Sequence, residues 1–187
     1  MGLIARAKNI LTAPKREWSV IAGESTGTAA LFAGYVAPLA AIPPVAAIIG
    51  NLLSNDAMTL GQDIAIGIVS FVIALAGVYV LGLIASKIAP SFGGQDDLGQ
   101  GLKLVAYSDT AWWIAGALNV IRPLAAFSWI PGLYSLYLLY AGSSVMLSVP
   151  RQRSAGYTAV VILVAIGLYI VIAVLIGLVI AAVSLAG

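Results

Sequence analysis

The chain reads as long apolar blocks separated by short polar connections, and no block shows the short alternating strands of a barrel. The hydrocarbon core of a bilayer is about 30 Å thick and a helix rises about 1.5 Å per residue, so a crossing takes about 20 mostly apolar residues. Five blocks meet that length: Ala29 to Leu53, Ile64 to Ser86, Leu102 to Ile121, Leu124 to Leu147 and Tyr157 to Leu185. Lipid offers open backbone no hydrogen-bond partner, so each block must be helical. The expected fold class is all-α, a polytopic membrane helical bundle with five transmembrane helices. Arg122-Pro123 marks a tight turn between the third and fourth blocks, but Pro131 lies inside the fourth. Two readings stand there: one helix from Leu124, or an interfacial stub over Leu124 to Ile130 with the helix starting at Pro131. No internal repeat or inverted pair of halves is visible.

Ahead of the first block, residues 1–28 read as a cytoplasmic amphipathic arm, leaving 29–187 as the five-span domain. Leu3, Ile4, Ala7, Ile10 and Leu11 form a helical stripe, with Arg6, Lys8, Lys15 and Arg16 between and after them. Cations attracted to anionic headgroups, with Trp18 as an interfacial anchor, would hold an N-terminal amphipathic interfacial helix in the plane of the cytoplasmic leaflet. The plain alternative is a lead-in that only fixes orientation. The arm is not read as a cleavable signal, since the first apolar segment starts near Ala29 and is too long for an h-region. Gly2 is not read as a lipidation site, because Arg6 stands where a myristoylation signal takes Ser or Thr.

Composition narrows the chemistry. Of 187 residues, 61% are hydrophobic and 9% charged, and the mean hydropathy is +1.06. That leaves too few polar groups to cover a water-facing surface, which excludes a soluble globular protein. With no Cys and no His, thiolate nucleophiles, disulfides, histidine bases and nearly all transition-metal ligand sets are absent, so neither an enzyme nor a cofactor or metal site is expected. The nine Lys and Arg are scattered between apolar blocks and do not form a nucleic-acid patch. On alternating sides, Arg6, Lys8, Lys15, Arg16, Lys87, Lys103, Arg151 and Arg153 fall on one face and Arg122 alone on the other. This positive-inside bias places the N-terminus inside and the C-terminus outside, N-in/C-out.

Within the blocks, Pro38, Pro43 and Pro44 each delete a backbone donor and crowd the carbonyl four residues earlier, so the first span is expected to kink or unwind. Either a packing kink or an ion or solute site would use such a break. Ala29, Ala33, Ala37 and Ala41 are spaced for close helix contact, as are Ala173, Gly177 and Ala181 in the fifth span, a packing face within the bundle or between copies. Asp109 lies about 9 Å into the third span, counted from Lys103 at about 1.5 Å per residue. An acid there costs on the order of 2.5 kcal/mol and should face the interior with a partner. Lys87, or the hydroxyls of Ser108 and Thr110, would compensate it, and Asn119 would bridge helices. Whether Asp109 serves function or a headgroup-level network stays open. The glycine-rich connection Ala89 to Gly101 reads as a flexible loop, without phosphate-cradle spacing and without a Ca²⁺ pattern at Asp96 and Asp97. Tyr134, Tyr137 and Tyr140 and the pair Trp112 and Trp113 read as packing or interface aromatics.

Several strings, taken in order, resemble the bacterial branch of the Yip (Ypt/Rab-interacting protein) domain family of multi-pass membrane proteins. They are Lys8-Asn9-Ile10-Leu11 with Pro14 and Trp18; Tyr35-Val36-Ala37-Pro38-Leu39-Ala40-Ala41-Ile42; Ala89-Pro90-Ser91-Phe92-Gly93-Gly94; Leu102-Lys103-Leu104-Val105-Ala106-Tyr107-Ser108; and Gly132 to Tyr140. The resemblance implies five spans, a cytoplasmic N-terminus and the inner (plasma) membrane. Ala111 stands where the family pattern has a proline, and Ala141-Gly142-Ser143-Ser144 replaces a more apolar segment end. Eukaryotic relatives bind small GTPases through a long arm and an Asp-Leu-x-Gly-Pro-type segment, both missing here, so that property is not carried over. The reading that follows is a non-enzymatic membrane organiser or adaptor whose partners are the lipid bilayer and itself or other membrane proteins. The alternative is a small oligomeric channel or transporter with a cation or proton path lined by Asp109 and the proline-broken first span.

Overall fold

A computed structural model of the chain describes residues 1–54 and 59–186. Among the described residues all regular structure is helical. The arm is two helices, α1 (Leu3–Thr12) and α2 (Pro14–Ala22). There follow α3 (Thr28–Leu53), α4 (Leu60–Ile88), α5 (Leu98–Ser108), α6 (Thr110–Ala115), the short α7 (Arg122–Ala125), α8 (Trp129–Met146) and α9 (Arg151–Ala186). Among the described residues, four stretches are long and apolar enough to cross a membrane: Thr28–Leu53, Leu60–Phe92, Pro123–Met146 and Arg151–Leu178. These coincide with four of the five predicted blocks.

The third block, Leu102 to Ile121, is not one helix. It ends as α5 at Ser108, restarts as α6 after Asp109, and tightens into a 3₁₀ segment over Gly116–Val120. Gly116 and Asn119 are poor helix formers, and the space there suits bare backbone. A Cβ on Gly116 would lie 2.5 Å from Pro43 Cγ, and one on Gly50 would lie 2.3 Å from the Asn119 carbonyl oxygen. At the next boundary α7 stops at Ala125, three turn residues follow, and α8 starts at Trp129, so the helix begins neither at Leu124 nor at Pro131, which sits in its first turn.

The first span is interrupted twice. Phe32–Val36 form a π-helical turn just ahead of Pro38. A second break falls at Ala41, and the helix resumes at Ile42 with Pro43 in its first turn, where its missing N–H would have had no partner. By contrast α4 starts cleanly: the Thr59 hydroxyl accepts from the Gln62 N–H at 3.3 Å while the Gln62 side chain accepts from the Thr59 N–H at 2.9 Å, a reciprocal cap.

The core is organised around α5, in which Gly101 to Ser108 are all buried. Its backbone meets that of α4 directly: a Cβ on Gly101 would be 2.5 Å from the Gly82 carbonyl oxygen, and one on Gly82 would be 2.9 Å from Leu102 Cα. α8 packs on α5 from another side, and α9 packs on α4, where the Tyr157 hydroxyl donates to the Ala85 carbonyl at 2.9 Å.

The connection from Ala89 to Gly101, expected to be a flexible loop, is held at nearly every step. Ala89–Phe92 make a 3₁₀ turn and Gly93 takes φ 81°, a left-handed conformation that favours glycine. The Gln95 N–H donates to the Leu147 carbonyl at 2.8 Å. Asp96 accepts from Lys87 Nζ and from the Ser86 hydroxyl, each at 2.6 Å, which holds its carboxyl below the usual range. Asp97 caps α5 by accepting from the Gln100 N–H at 3.0 Å.

Gly101→Val should therefore lower the unfolding temperature in mild detergent, by an effect worth about 2 kcal/mol or more, since the obstacle is rigid backbone. Gly167→Val, whose Cβ meets nothing within 4 Å, should leave it unchanged. Equal melting of both variants and the native chain would show that the α4–α5 contact is not close-packed.

Candidate functional site

Among the described residues, two polar constellations bear on function. The first fastens the arm. α1 and α2 meet at Ala13 (φ −141°, ψ 54°), after which Pro14 opens α2, so the arm is a bent pair and not the single helix the stripe suggested. Its apolar side enters the bundle core: Ile10, Trp18 and Ile21 are each 0% exposed. Trp18 fills the space left by Gly142 of α8, where a Cβ would be 2.6 Å from its ring, and it meets Tyr107 edge-on at 6.4 Å. Trp18 is thus a core residue and not an interfacial anchor.

Arg6 also departs from expectation. It is 5% exposed and turned inward, where its guanidinium pairs with Glu17 at 2.5 Å and with Glu24 and lies 5.8 Å from the centre of the Tyr107 ring. Burial pulls its pKa down, but the hydrogen bond and charge of Glu24, with Tyr107 and Glu17, outweigh that and hold it above the usual arginine value. Arg6 therefore serves as a lock on the protein itself and not as a headgroup contact. Of the residues proposed for the membrane surface, Lys8, Lys15 and Arg16 are the exposed ones.

The lock extends into α5 and α8. Lys103 Nζ donates to the Glu24 carbonyl, Gln100 donates to the Ala22 carbonyl at 3.3 Å, and the Tyr134 hydroxyl donates to the Leu11 carbonyl at 2.9 Å. Behind Tyr107, the Tyr35 ring lies 4.5 Å away and the Tyr35 hydroxyl bonds Thr110 Oγ1 at 2.7 Å. A cavity of about 540 Å³ opens beside the lock, lined by Arg6, Glu24, Thr26, Tyr35 and Tyr107 among others. Sequence reading missed Glu17 and Glu24. The available signal was that the chain's two glutamates both follow Arg6 within its first 24 residues.

The second constellation surrounds Asp109, at the break between α5 and α6. Its carboxylate has no hydrogen bond or ion pair among the described residues, and it lines two cavities. One, of about 280 Å³, also holds Pro43, Pro44, Ser70 and Asn119; the other, of about 290 Å³, holds Ser108 and Ser135. The expected compensation is absent. Lys87 is engaged with Asp96, nine residues along the same connection. Thr110 donates to the Tyr107 carbonyl at 2.7 Å and bonds Tyr35, and Ser108 Oγ is buried without a partner. Lys87 pairs locally because Asp96 is held beside it by the 3₁₀ turn, just before α5, whereas Asp109 lies at the opposite end of α5.

On α9, Ala173, Gly177 and Ala181 are exposed, and a Cβ on Gly177 would meet nothing within 4 Å. The face is therefore not filled from within the chain. Prolines 38, 43 and 44 flank the two interruptions of α3 described above, and the latter two line the first Asp109 cavity.

In comparisons with known proteins, the family model of the Yip1 domain matches residues 8–175. No curated protein and no solved structure matches.

Removing the guanidinium tests the lock. Arg6→Met strands the buried Glu17 carboxylate and should destabilise the protein by about 3 kcal/mol, whereas Arg6→Met combined with Glu17→Leu should recover most of the loss. Denaturant unfolding in detergent micelles measures both. A single variant as stable as the native chain would mean the ion pair contributes nothing net.

Proposed function

The chain belongs to the Yip1 domain family, and we propose that this multi-pass membrane protein works without catalysis, as an organiser or adaptor for other membrane components. In this reading it crosses the bacterial inner membrane five times, N-in/C-out, with the arm of residues 1–28 at the cytoplasmic side. The fifth crossing is the broken segment from α5 through the 3₁₀ turn. Its interruption at Asp109 is tolerable at membrane depth because α3, α4 and α8 pack on the broken segment and the Tyr169 ring of α9 lies 6.3 Å from that of Trp112. Lys8, Lys15 and Arg16 then face anionic headgroups.

The observation that carries the adaptor reading is the uncovered small-residue face of α9. A helix that leaves Ala173, Gly177 and Ala181 open lets another helix approach closely. The native chain has no cysteine, so single cysteines can be placed without background. Cysteines replacing Ala173 or Gly177 should cross-link to a second copy or to another membrane protein in native membranes, while one replacing Leu175 should not. Uniform cross-linking at all three positions, or none, would sink the reading.

A second reading, a cation or proton path, is favoured by how the cavities follow one another. A cavity of about 170 Å³ holds Asp63, which accepts from Asn51 at 2.8 Å, and shares Ser70 with the first Asp109 cavity. Next to Asp109 in the chain, Thr110 bonds Tyr35, which lines the cavity beside the arm. In liposomes under a proton or K⁺ gradient, this reading requires flux that Asp109→Asn reduces by about tenfold or more. Absence of flux with the native chain under either gradient would exclude it.

A further inference from the structure

Between α6, α8 and α9 runs the second Asp109 cavity, a groove whose walls include Leu136, Leu139, Ile162 and Ile166. Leu136 and Ile166 are exposed, and they stand on α8 and α9, both long and apolar enough to cross a membrane. The groove thus opens toward hydrocarbon, the solvent that suits its walls. Its floor does not match them. Ser108 and Ser135 are 3% and 8% exposed, and both hydroxyl oxygens are buried with no hydrogen-bond partner. Beside them lies the Asp109 carboxylate, which has no ion pair or hydrogen bond among the described residues, with the Tyr169 ring of α9 in the same lining.

An unpaired carboxylate and two unpaired hydroxyls lining one apolar trough form an incomplete site. Buried polar groups are ordinarily satisfied, and a hydroxyl or carboxylate left without a partner is a desolvation penalty with nothing to offset it. The complement is defined by count, charge and shape. A primary ammonium carries one positive charge and three donors and no acceptor, matching one carboxylate and two hydroxyls. The apolar walls call for an alkyl chain behind that head. A carboxylate-headed chain would meet Asp109 as a like charge, and a neutral alcohol offers one donor to three acceptors.

We propose that this groove binds a single-chain amphiphile with a primary ammonium head, the ammonium seated on Asp109, Ser108 and Ser135 and the chain lying between Leu136 and Ile166. Both serines then gain the partners they lack, and the Asp109 charge is neutralised at the point where the third segment breaks. The site stands apart from the α9 face and from any flux, so cross-linking and ion-transport results leave it untouched.

The test uses the full chain in phosphatidylcholine nanodiscs, titrated with dodecylammonium and, at equal chain length, with dodecanol and dodecanoate. Binding is read by native mass spectrometry and by tryptophan fluorescence, Trp112 being part of the groove lining. Dodecylammonium should bind saturably, about tenfold more weakly to Asp109→Asn and severalfold more weakly to the Ser108→Ala/Ser135→Ala pair. Dodecanoate should not bind, and dodecanol should bind more weakly than the ammonium. Equal affinity of dodecylammonium for the native chain and Asp109→Asn would overturn the proposal, as would dodecanoate or dodecanol binding as tightly as the ammonium. Where Asp109→Asn does not fold, Leu136→Trp at the exposed mouth decides, because native-strength binding to a narrowed groove would equally overturn it.

Discussion

The contact on which the bundle depends is the direct meeting of the α4 and α5 backbones at Gly82 and Gly101. In hydrocarbon there is little gain in bringing apolar side chains together, so helices associate through close van der Waals fit and through polar groups that find partners. Glycine at both positions lets the two main chains touch, and Gly101 to Ser108 are consequently all buried. That enclosure has two effects. It permits α5 to carry Lys103, Tyr107 and Ser108 as buried polar groups, and it shelters the backbone break at Asp109, which open lipid would not tolerate.

The arm follows from the same constraint. An amphipathic stripe with interspersed cations has two ways to bury its apolar side, against headgroups or against protein, and the stripe alone does not choose. What chooses here is charge pairing. Arg6 can be buried because Glu17 and Glu24 stand within reach once α1 folds back along α2, and a buried cation is tolerated only when paired and hydrogen-bonded. Trp18 then has a cavity cut for it by Gly142. The cations that lack an acid in reach, Lys8, Lys15 and Arg16, are the ones left outside.

Hydrophobic length made the four long helices legible, since blocks of that size admit few other structures in lipid. The proline positions likewise pointed to the interrupted α3. The third segment was legible as apolar but not as broken, because periodicity carries no information about a bend imposed by neighbours: the 3₁₀ turn exists to lay Gly116 against Pro43 and Asn119 against Gly50. The roles of Arg6 and Trp18 were misread for a related reason. Tyr107 and Gly142 are distant in the chain, and Glu17 and Glu24, though near, reach Arg6 only once α1 folds back along α2. The glycine-rich connection shows the same limit, for its glycines reflect a left-handed turn at Gly93 and tight approaches at Gly94 and Gly101 rather than freedom.

Asp109 is where these arguments converge. Asp63 accepts from Asn51, Asp96 is held by Lys87 and Ser86, and Glu17 and Glu24 are bound to Arg6. A chain this sparing of charge has found a partner for each of these acids. An intramembrane acid that lacks such compensation is hard to attribute to structure alone. Two neighbouring hydroxyls share its condition, and they share its groove as well. Trp18 Nε1, Gln100 Oε1 and Thr158 Oγ1 are also buried without a partner, but each is a single atom, whereas at Asp109 an unpaired acid and two unpaired hydroxyls line one groove, and such a cluster marks a site whose remaining contacts come from outside the chain.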